Sequence, residues 1–341
     1  MKTRTIHPPA LSVLLPVLAV LSCCNGTREG YYISLAGPTQ GTSFHISYLS
    51  ADSIVYQEAV ESLLHEFDTS LSTYLPSSLI SRFNRGSGGV KPDSFLLSVY
   101  GASRDIWEET GGAFDITVAP VVNAWGFGFT DPVETDSALI DSLLRYVGME
   151  KVRLENGRLV KDTGGVMLDV NAIAQGYAVD VVSEFLESKG IRNYLVEIGG
   201  EVRALGRNSR GEEWRVGIDK PIEGLQVPGL QMEAVVALSG ASLATSGNYR
   251  RYYEKNGVKY AHTIDPATGY PVQHNLLSAS VLAQDCMTAD GYATAFMVLG
   301  FEKSRELLAS HDDLEACLIY NDDQGRYKVY CTKGMKKLIR N

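Results

Sequence analysis

"VRLENGRLVKD", residues 152–162, settles the direction of the strands in this chain. Two short runs of alternating apolar and polar residues flank Asn156-Gly157. An Asn-Gly pair in a two-residue loop adopts the positive-φ conformations of a type I′ turn, whose twist matches an antiparallel pair. Strands joined this tightly cannot be parallel, because a parallel connection needs a crossover of about a dozen residues. The device recurs. "RYYEKNGVKYAHTI" (251–264) folds back at Asn256-Gly257, and "NDDQG" (321–325) closes a last hairpin.

Further strands read from alternation in "YYISLAG" (31–37), "SFHISYL" (43–49), "NYLVEIGG" (193–200), "WRVGID" (214–219) and "AVVALS" (234–239), with "GVMLDV" (165–170) as a continuous apolar run. Helices are interleaved. "SIVYQEAVESLLHEF" carries Val55, Ala59, Leu63 and Phe67 at helical spacing. "DSFLLSVYGASRDIWEETGG" stops at Gly111, "SALIDSLLRYVG" at Gly148 and "GYAVDVVSEFLESKG" at Gly190. The C-terminal part reads strand, helix, helix, hairpin. The expected class is α+β, with mixed or antiparallel sheets and packed helices, not a doubly wound parallel sheet.

Composition narrows the function. The 341 residues are 45% apolar with a formal charge of −9. Lys and Arg are scattered, so no nucleic-acid partner is implied. Neither GxGxxG nor GxxxxGK[ST] occurs. The first residues read as an export signal: Lys2 and Arg4, the apolar run 10–21 interrupted by Pro16, then "VLSC" ending at Cys23. The ending resembles a bacterial lipobox, which makes 1–22 a lipoprotein signal peptide, Cys23 the lipidated residue, 23–30 a linker and 31–341 the folded domain. The localisation expected is the periplasmic face of a bacterial membrane. Cys286, Cys317 and Cys331 have no CxxC spacing, and buried free thiols are the preferred reading.

Three segments carry candidate chemistry. In "DCMTADGYATAFMVLG" (285–300), Asp290 and Thr294 sit one helical turn apart. Asp290 either caps its own helix or joins Thr294 in holding a hard cation such as Mg²⁺. In "LDVNAIAQGYAVD" (168–180), small residues open a helix near Gly176 and leave backbone N–H groups for an anion such as a pyrophosphate. "GGAFDITVAPVVNAWGFG" (111–128), glycine-rich at both ends and aromatic within, suits either a planar ligand or the core. Tyr249, Tyr252, Tyr253 and Tyr260 cluster just before His262 and the turn "DPATG".

Those segments, with "VEIGGEVRALG", "ATSGNYRRYY" and "HTIDPATGYPV", occur in an order that resembles the ApbE family of flavin transferases, over about 37–338. The resemblance implies an α+β flavin-transferase architecture and Mg²⁺-dependent movement of FMN from FAD to a Thr or Ser of an acceptor protein. AMP leaves. The implied acceptor is a subunit of a membrane redox complex. A metal-dependent FAD pyrophosphatase and a non-catalytic flavin-binding lipoprotein are the alternatives. The resemblance also implies roles. Asp290, Thr294 and the Ala172 carbonyl match metal ligands; Thr42, Tyr74, Ala113, Phe114, Asp115, Asp169, Gln175, His262 and Ile264 match FAD contacts. His262, whose ordinary pKa lies near neutrality, and Asp290 are the candidates to take the acceptor's proton. The chain departs from the family at Gln175, where many relatives carry lysine, and at Gln40, where methionine is usual.

Overall fold

The computed structural model describes residues 30–129, 135–222, 229–248, 252–255 and 258–340. The signal segment 1–22, Cys23, Tyr249 and the Asn256-Gly257 turn lie outside them. In chain order the elements are β1 (Tyr31–Thr39), β2 (Thr42–Ser50), α1 (Gln57–Leu71), α2 (Leu79–Arg85), α3 (Ser94–Glu109), α4 (Ala119–Ala124), α5 (Ser137–Leu144), β3 (Val152–Glu155) and β4 (Arg158–Lys161). There follow α6 (Ala174–Ser188), β5 (Tyr194–Ile198), β6 (Glu201–Leu205), β7 (Trp214–Asp219), β8 (Met232–Leu238), β9 (Ala241–Gly247), β10 (Tyr252–Lys255) and β11 (Val258–Ala261). Last come β12 (Leu276–Ala283), α7 (Cys286–Leu308), β13 (Glu315–Asn321), β14 (Tyr327–Cys331), α8 (Lys333–Leu338) and β15 (Ile339–Arg340).

Eight strands form one sheet in the order β1-β2-β5-β6-β9-β12-β13-β14, with every neighbouring pair antiparallel. Both faces are covered, so successive residues of a strand enter different cores. Ala244 and Leu318 join the helix-side core with α1, α3, α6 and α7, whereas Leu243, Cys317 and Ile319 pack against Trp214 and Leu238 of the small β15-β8-β7 sheet. A third cluster, Val121, Ile140, Val147 and Ile264, ties α4 and α5 to the segment after β11. No helix among the described residues is long and apolar enough to cross a membrane.

The turn that set the strand direction has the expected geometry, with Asn156 at φ 49° and Gly157 at φ 72°. Gln40 (49°) and Gly41 (75°) make the same turn between β1 and β2. Other expectations need correction. Helix α1 buries Val60, Leu64, Phe67 and Leu71, not Val55, Ala59 and Leu63. Residues 165–170 are not a ladder strand. Their one strand-like pairing is an isolated parallel bridge from Met167 to Val118, and the Asn84 side chain bonds both Leu168 N (2.7 Å) and Leu168 O (2.9 Å) in place of a neighbouring strand. Helix α5 ends at Leu144, before Gly148. The two expected C-terminal helices are both present: α7 consists of two helices that meet at Gly300, where the backbone leaves helical geometry at φ 76°.

The preference for free thiols holds only for Cys286. Cys317 and Cys331 face each other across β13 and β14 and form a disulfide. Antiparallel register supplies the proximity that sequence spacing alone does not. The closed loop spans 14 residues, for which chain-entropy arguments give about 3 kcal/mol. Reduction, or Cys331→Ser, is therefore expected to lower the unfolding free energy by roughly 2–4 kcal/mol in denaturant titrations.

Candidate functional site

The site is built where two helices begin. Helix α7 is capped by Asp285, whose carboxylate accepts from Thr288 N (2.8 Å) and Thr288 Oγ1 (3.0 Å). This excludes Asp290 as the cap of its own helix. Asp290, one turn further in, instead reaches across to α6, where its Oδ2 accepts from Gly176 N at 3.0 Å. Asp180 of α6 does the converse, its two oxygens accepting from Cys286 N (2.9 Å) and Met287 N (2.8 Å) at the start of α7. Each helix thus satisfies N–H groups that the other's first turn leaves without partners. Arg203 holds Asp180 from β6 through an ion pair of 2.8 Å.

Glycine makes this contact possible. A Cβ on Gly176 would lie 2.3 Å from the Cys286 carbonyl oxygen and 2.7 Å from Asp290 Cβ. Because Gly176 N points to Asp290, the Ala172 carbonyl one turn earlier accepts no hydrogen bond among the described residues. Among the described residues Asp290 Oδ1 likewise takes no hydrogen bond. Thr294, on the same face of α7, shares a hydrogen bond of 3.2 Å with Ser246 of β9. A free carboxylate oxygen, a hydroxyl and a free carbonyl make an all-oxygen donor set of the kind a hard divalent cation takes, with room left for phosphate and water. Among the described residues no group of three or more His, Cys, Asp or Glu is placed to hold a metal ion.

Burial governs the charges. It lifts the Asp290 pKa to about 7, with the Asp180 charge adding to the rise and the Gly176 N–H opposing it. Burial also raises Asp180, to about 6, against the bonds from Cys286 and Arg203. Asp169 is raised for the same reason, although part of its surface reaches solvent. A cation beside Asp290 would reverse the first of these shifts.

The other expected residues fall into three groups. Gln175 and Thr42 join the helix junction: a Cβ on Gly199 would meet Gln175 Nε2 and, at 3.1 Å, Thr42 Cγ2. Asp169 leads into the same turn, and its N–H donates to the Ile116 carbonyl at 2.7 Å, which brings residues 113–117 alongside. There Phe114 and Ile116 are core side chains, and Asp115 is buried with its carboxylate accepting from Thr117 N at 2.7 Å. Phe114 and Asp115 therefore offer a ligand mainly their backbone. His262 lies edge-on to Phe127 with ring centroids 6.4 Å apart. Its neighbour Thr263 bonds Asn248 at 2.7 Å, just beyond Ser246, while Ile264 is core. Tyr74 stands 65% exposed and, among the described residues, makes no hydrogen bond or ring contact with the others. Sequence reasoning assigned no role to Ser246, Asp180, Arg203 or the Gly176 contact. Ser246 and Asp180 lie inside segments already singled out, but their partners are distant in sequence.

An antiparallel sheet covered by helices on one face and by a small sheet on the other, with an oxygen-rich polar site where two helices begin, defines a class of α+β proteins. The ApbE family profile matches residues 40–318. The FAD:protein FMN transferase of Vibrio cholerae is 38% identical over 336 residues, covering 96% of this chain and 98% of that protein. The protein of the same name from Haemophilus influenzae is 38% identical over 343 residues, covering 96% and 97%. The solved structure of flavin transferase ApbE from Vibrio cholerae superposes with a TM-score of 0.82 at 35% identity, over 91% of this chain and 99% of that one. The chain belongs to the ApbE family.

Proposed function

We propose that this chain is an FAD:protein FMN transferase that joins FMN, through a phosphoester, to a Thr or Ser hydroxyl of an acceptor protein. The carrying observation is the convergence of Asp290, Thr294 and the free Ala172 carbonyl beside Thr42 and Gln175. Mg²⁺ bound there would act as a Lewis acid toward the pyrophosphate, the charge neutralisation that phosphoryl transfer chiefly needs. Asp290, Thr294 and Ala172 would hold the ion. Thr42, Gln175 and the backbone of 113–115 would line the dinucleotide. The acceptor oxygen forms a bond to the FMN phosphorus, the P–O bond to the AMP phosphate breaks, and AMP departs with the bridging oxygen. His262 is placed in this reading to take the hydroxyl proton.

The Cys23 lipid anchor and export to the periplasmic face belong to the same proposal. The Cys317–Cys331 disulfide supports them, since such bonds persist in oxidising compartments.

The test incubates the chain lacking residues 1–24 with FAD, Mg²⁺ and a candidate acceptor domain, and follows AMP and the acceptor's intact mass. An FMN-sized mass gain that needs Mg²⁺ is the expected result. AMP release without labelling across a panel of acceptors would instead identify a pyrophosphatase. His262→Ala is expected to slow transfer by about 10²–10⁴-fold, the usual range for a lost general base, with FAD affinity little changed. An unaltered rate removes His262 from the mechanism.

A further inference from the structure

The β1–β2 hairpin has two ends with different neighbours. At its closed end Thr39 pairs with Thr42 around Gln40-Gly41, and Thr42 touches the Gln175–Gly199 corner of the site. At its open end Tyr31 pairs with Ser50. The loop after β2 folds onto that end: Ile54 N donates to Ser50 Oγ (3.2 Å), and the Tyr48 hydroxyl donates to the Ile54 carbonyl (2.8 Å). Three large apolar side chains stand out there, Tyr31 at 64%, Ile54 at 45% and Val55 at 62% exposure. The chain enters β1 at this corner, eight residues after Cys23. Eight residues reach at most about 28 Å when fully extended.

We propose that the Tyr31–Ile54–Val55 corner rests on the bilayer surface that holds the Cys23 anchor, and that the β1–β2 hairpin spaces the transfer site away from that surface. The inference rests on the lipidation of Cys23 stated above. A tether this short keeps the corner at high effective concentration against lipid, so a small amphipathic patch suffices to dock it. A nine-residue hairpin spans about 27 Å along its strands. The site is then held roughly 25–30 Å above the bilayer. The acceptor hydroxyl must accordingly sit on a domain that projects that far, not at headgroup level. A second apolar patch, with Met232, Tyr327 and Val329, lies around β14, the opposite edge of the eight-stranded sheet. The tether does not emerge there.

The full lipidated chain tests this. In a Cys24→Ser background, thiol dyes are attached at Ala51→Cys, Ser34→Cys, Pro38→Cys or Val329→Cys, and energy transfer to headgroup-labelled phosphatidylcholine vesicles is measured. Cys286 is buried and the other two cysteines are bonded, so neither competes for dye. Transfer is expected to fall from Ala51 through Ser34 to Pro38, at least roughly twofold over a span of about 25 Å, and to be low at Val329. The surface variant Tyr31→Ser/Ile54→Ser/Val55→Ser is expected to flatten the gradient. A flat profile in the parent chain, a maximum at Val329, or a gradient unchanged in the triple variant overturns the proposal while leaving the anchor intact. A mature mass without acyl chains overturns it together with the anchor.

Discussion

Asp290→Asn is expected to abolish Mg²⁺-dependent FMN transfer while leaving the fold in place. The amide oxygen still accepts from Gly176 N, so the bond that starts α6 survives. What is lost is the one carboxylate in the proposed ligand set. Charge stabilisation worth several kcal/mol corresponds to a fall in rate of roughly 10²–10³-fold or more. The same substitution carries a pH signature in metal-free protein. The Asp290 pKa is raised from its ordinary value to about 7, so the native state binds a proton that the unfolded state gives up. Stability is therefore fully favoured below the unfolded pKa and declines as pH rises from about 4 to about 7. In EDTA, the parent chain should melt lower at pH 8 than at pH 5 by more than Asp290→Asn does. Calorimetric Mg²⁺ affinity should weaken below pH 7, because the proton and the metal compete for one carboxylate. An Asp290→Asn enzyme with full transfer rate, or a parent chain whose Mg²⁺ affinity is flat from pH 5.5 to 8, contradicts the assigned ligand.

Local chemistry made the antiparallel frame legible and long-range contacts hid much of the site. Asn156-Gly157 dictates its turn with no help from the rest of the chain, and Gly111 and Gly190 sit just past α3 and α6 with positive φ as expected. The Tyr48 hydroxyl bonds Ile54 O and Tyr56 N ahead of α1, which begins at Gln57. The expected stripe went astray because a constant step of four residues drifts off a 3.6-residue turn, whereas Val60, Leu64, Phe67 and Leu71 follow steps of four, three and four. The run 165–170 has the composition of a buried strand, but a side chain, Asn84, occupies the partner's place. No periodicity reports that. Asp290 and Thr294 were legible as a pair because four residues make one helical turn. Their surroundings were not. The reciprocal contacts Asp180–Cys286 and Asp290–Gly176 join residues 106 and 114 positions apart, and the spacing within either helix contains no trace of them.

Gly176→Ala tests whether that reciprocal contact positions the metal ligands. The new methyl group would meet the backbone oxygen of Cys286 at 2.3 Å and Asp290 Cβ at 2.7 Å. Neither is the end of a flexible side chain, so the starts of α6 and α7 must move apart. Overpacking of this kind costs about 1–3 kcal/mol, and loss of the Asp290 bond to Gly176 adds to it. The expected result is a melting point lower by several degrees, since each kcal/mol shifts it by roughly 2–4 °C in a domain of this size. Transfer should suffer more than stability, because separating the helices moves Asp290 and Thr294 relative to Ala172, and ligand placement must hold within about 0.5 Å. A matched control is Gly101→Ala in α3, where a Cβ meets nothing within 4 Å. That substitution should stabilise by about 0.5–1 kcal/mol and leave transfer unchanged. If Gly176→Ala melts lower but binds Mg²⁺ and transfers FMN at the parent rate at 20 °C, the junction serves the fold alone and the ligands are positioned by something else. If Mg²⁺ affinity and rate fall together while the chain remains folded at that temperature, the close approach of α6 and α7 is what brings the three oxygens within reach of one ion.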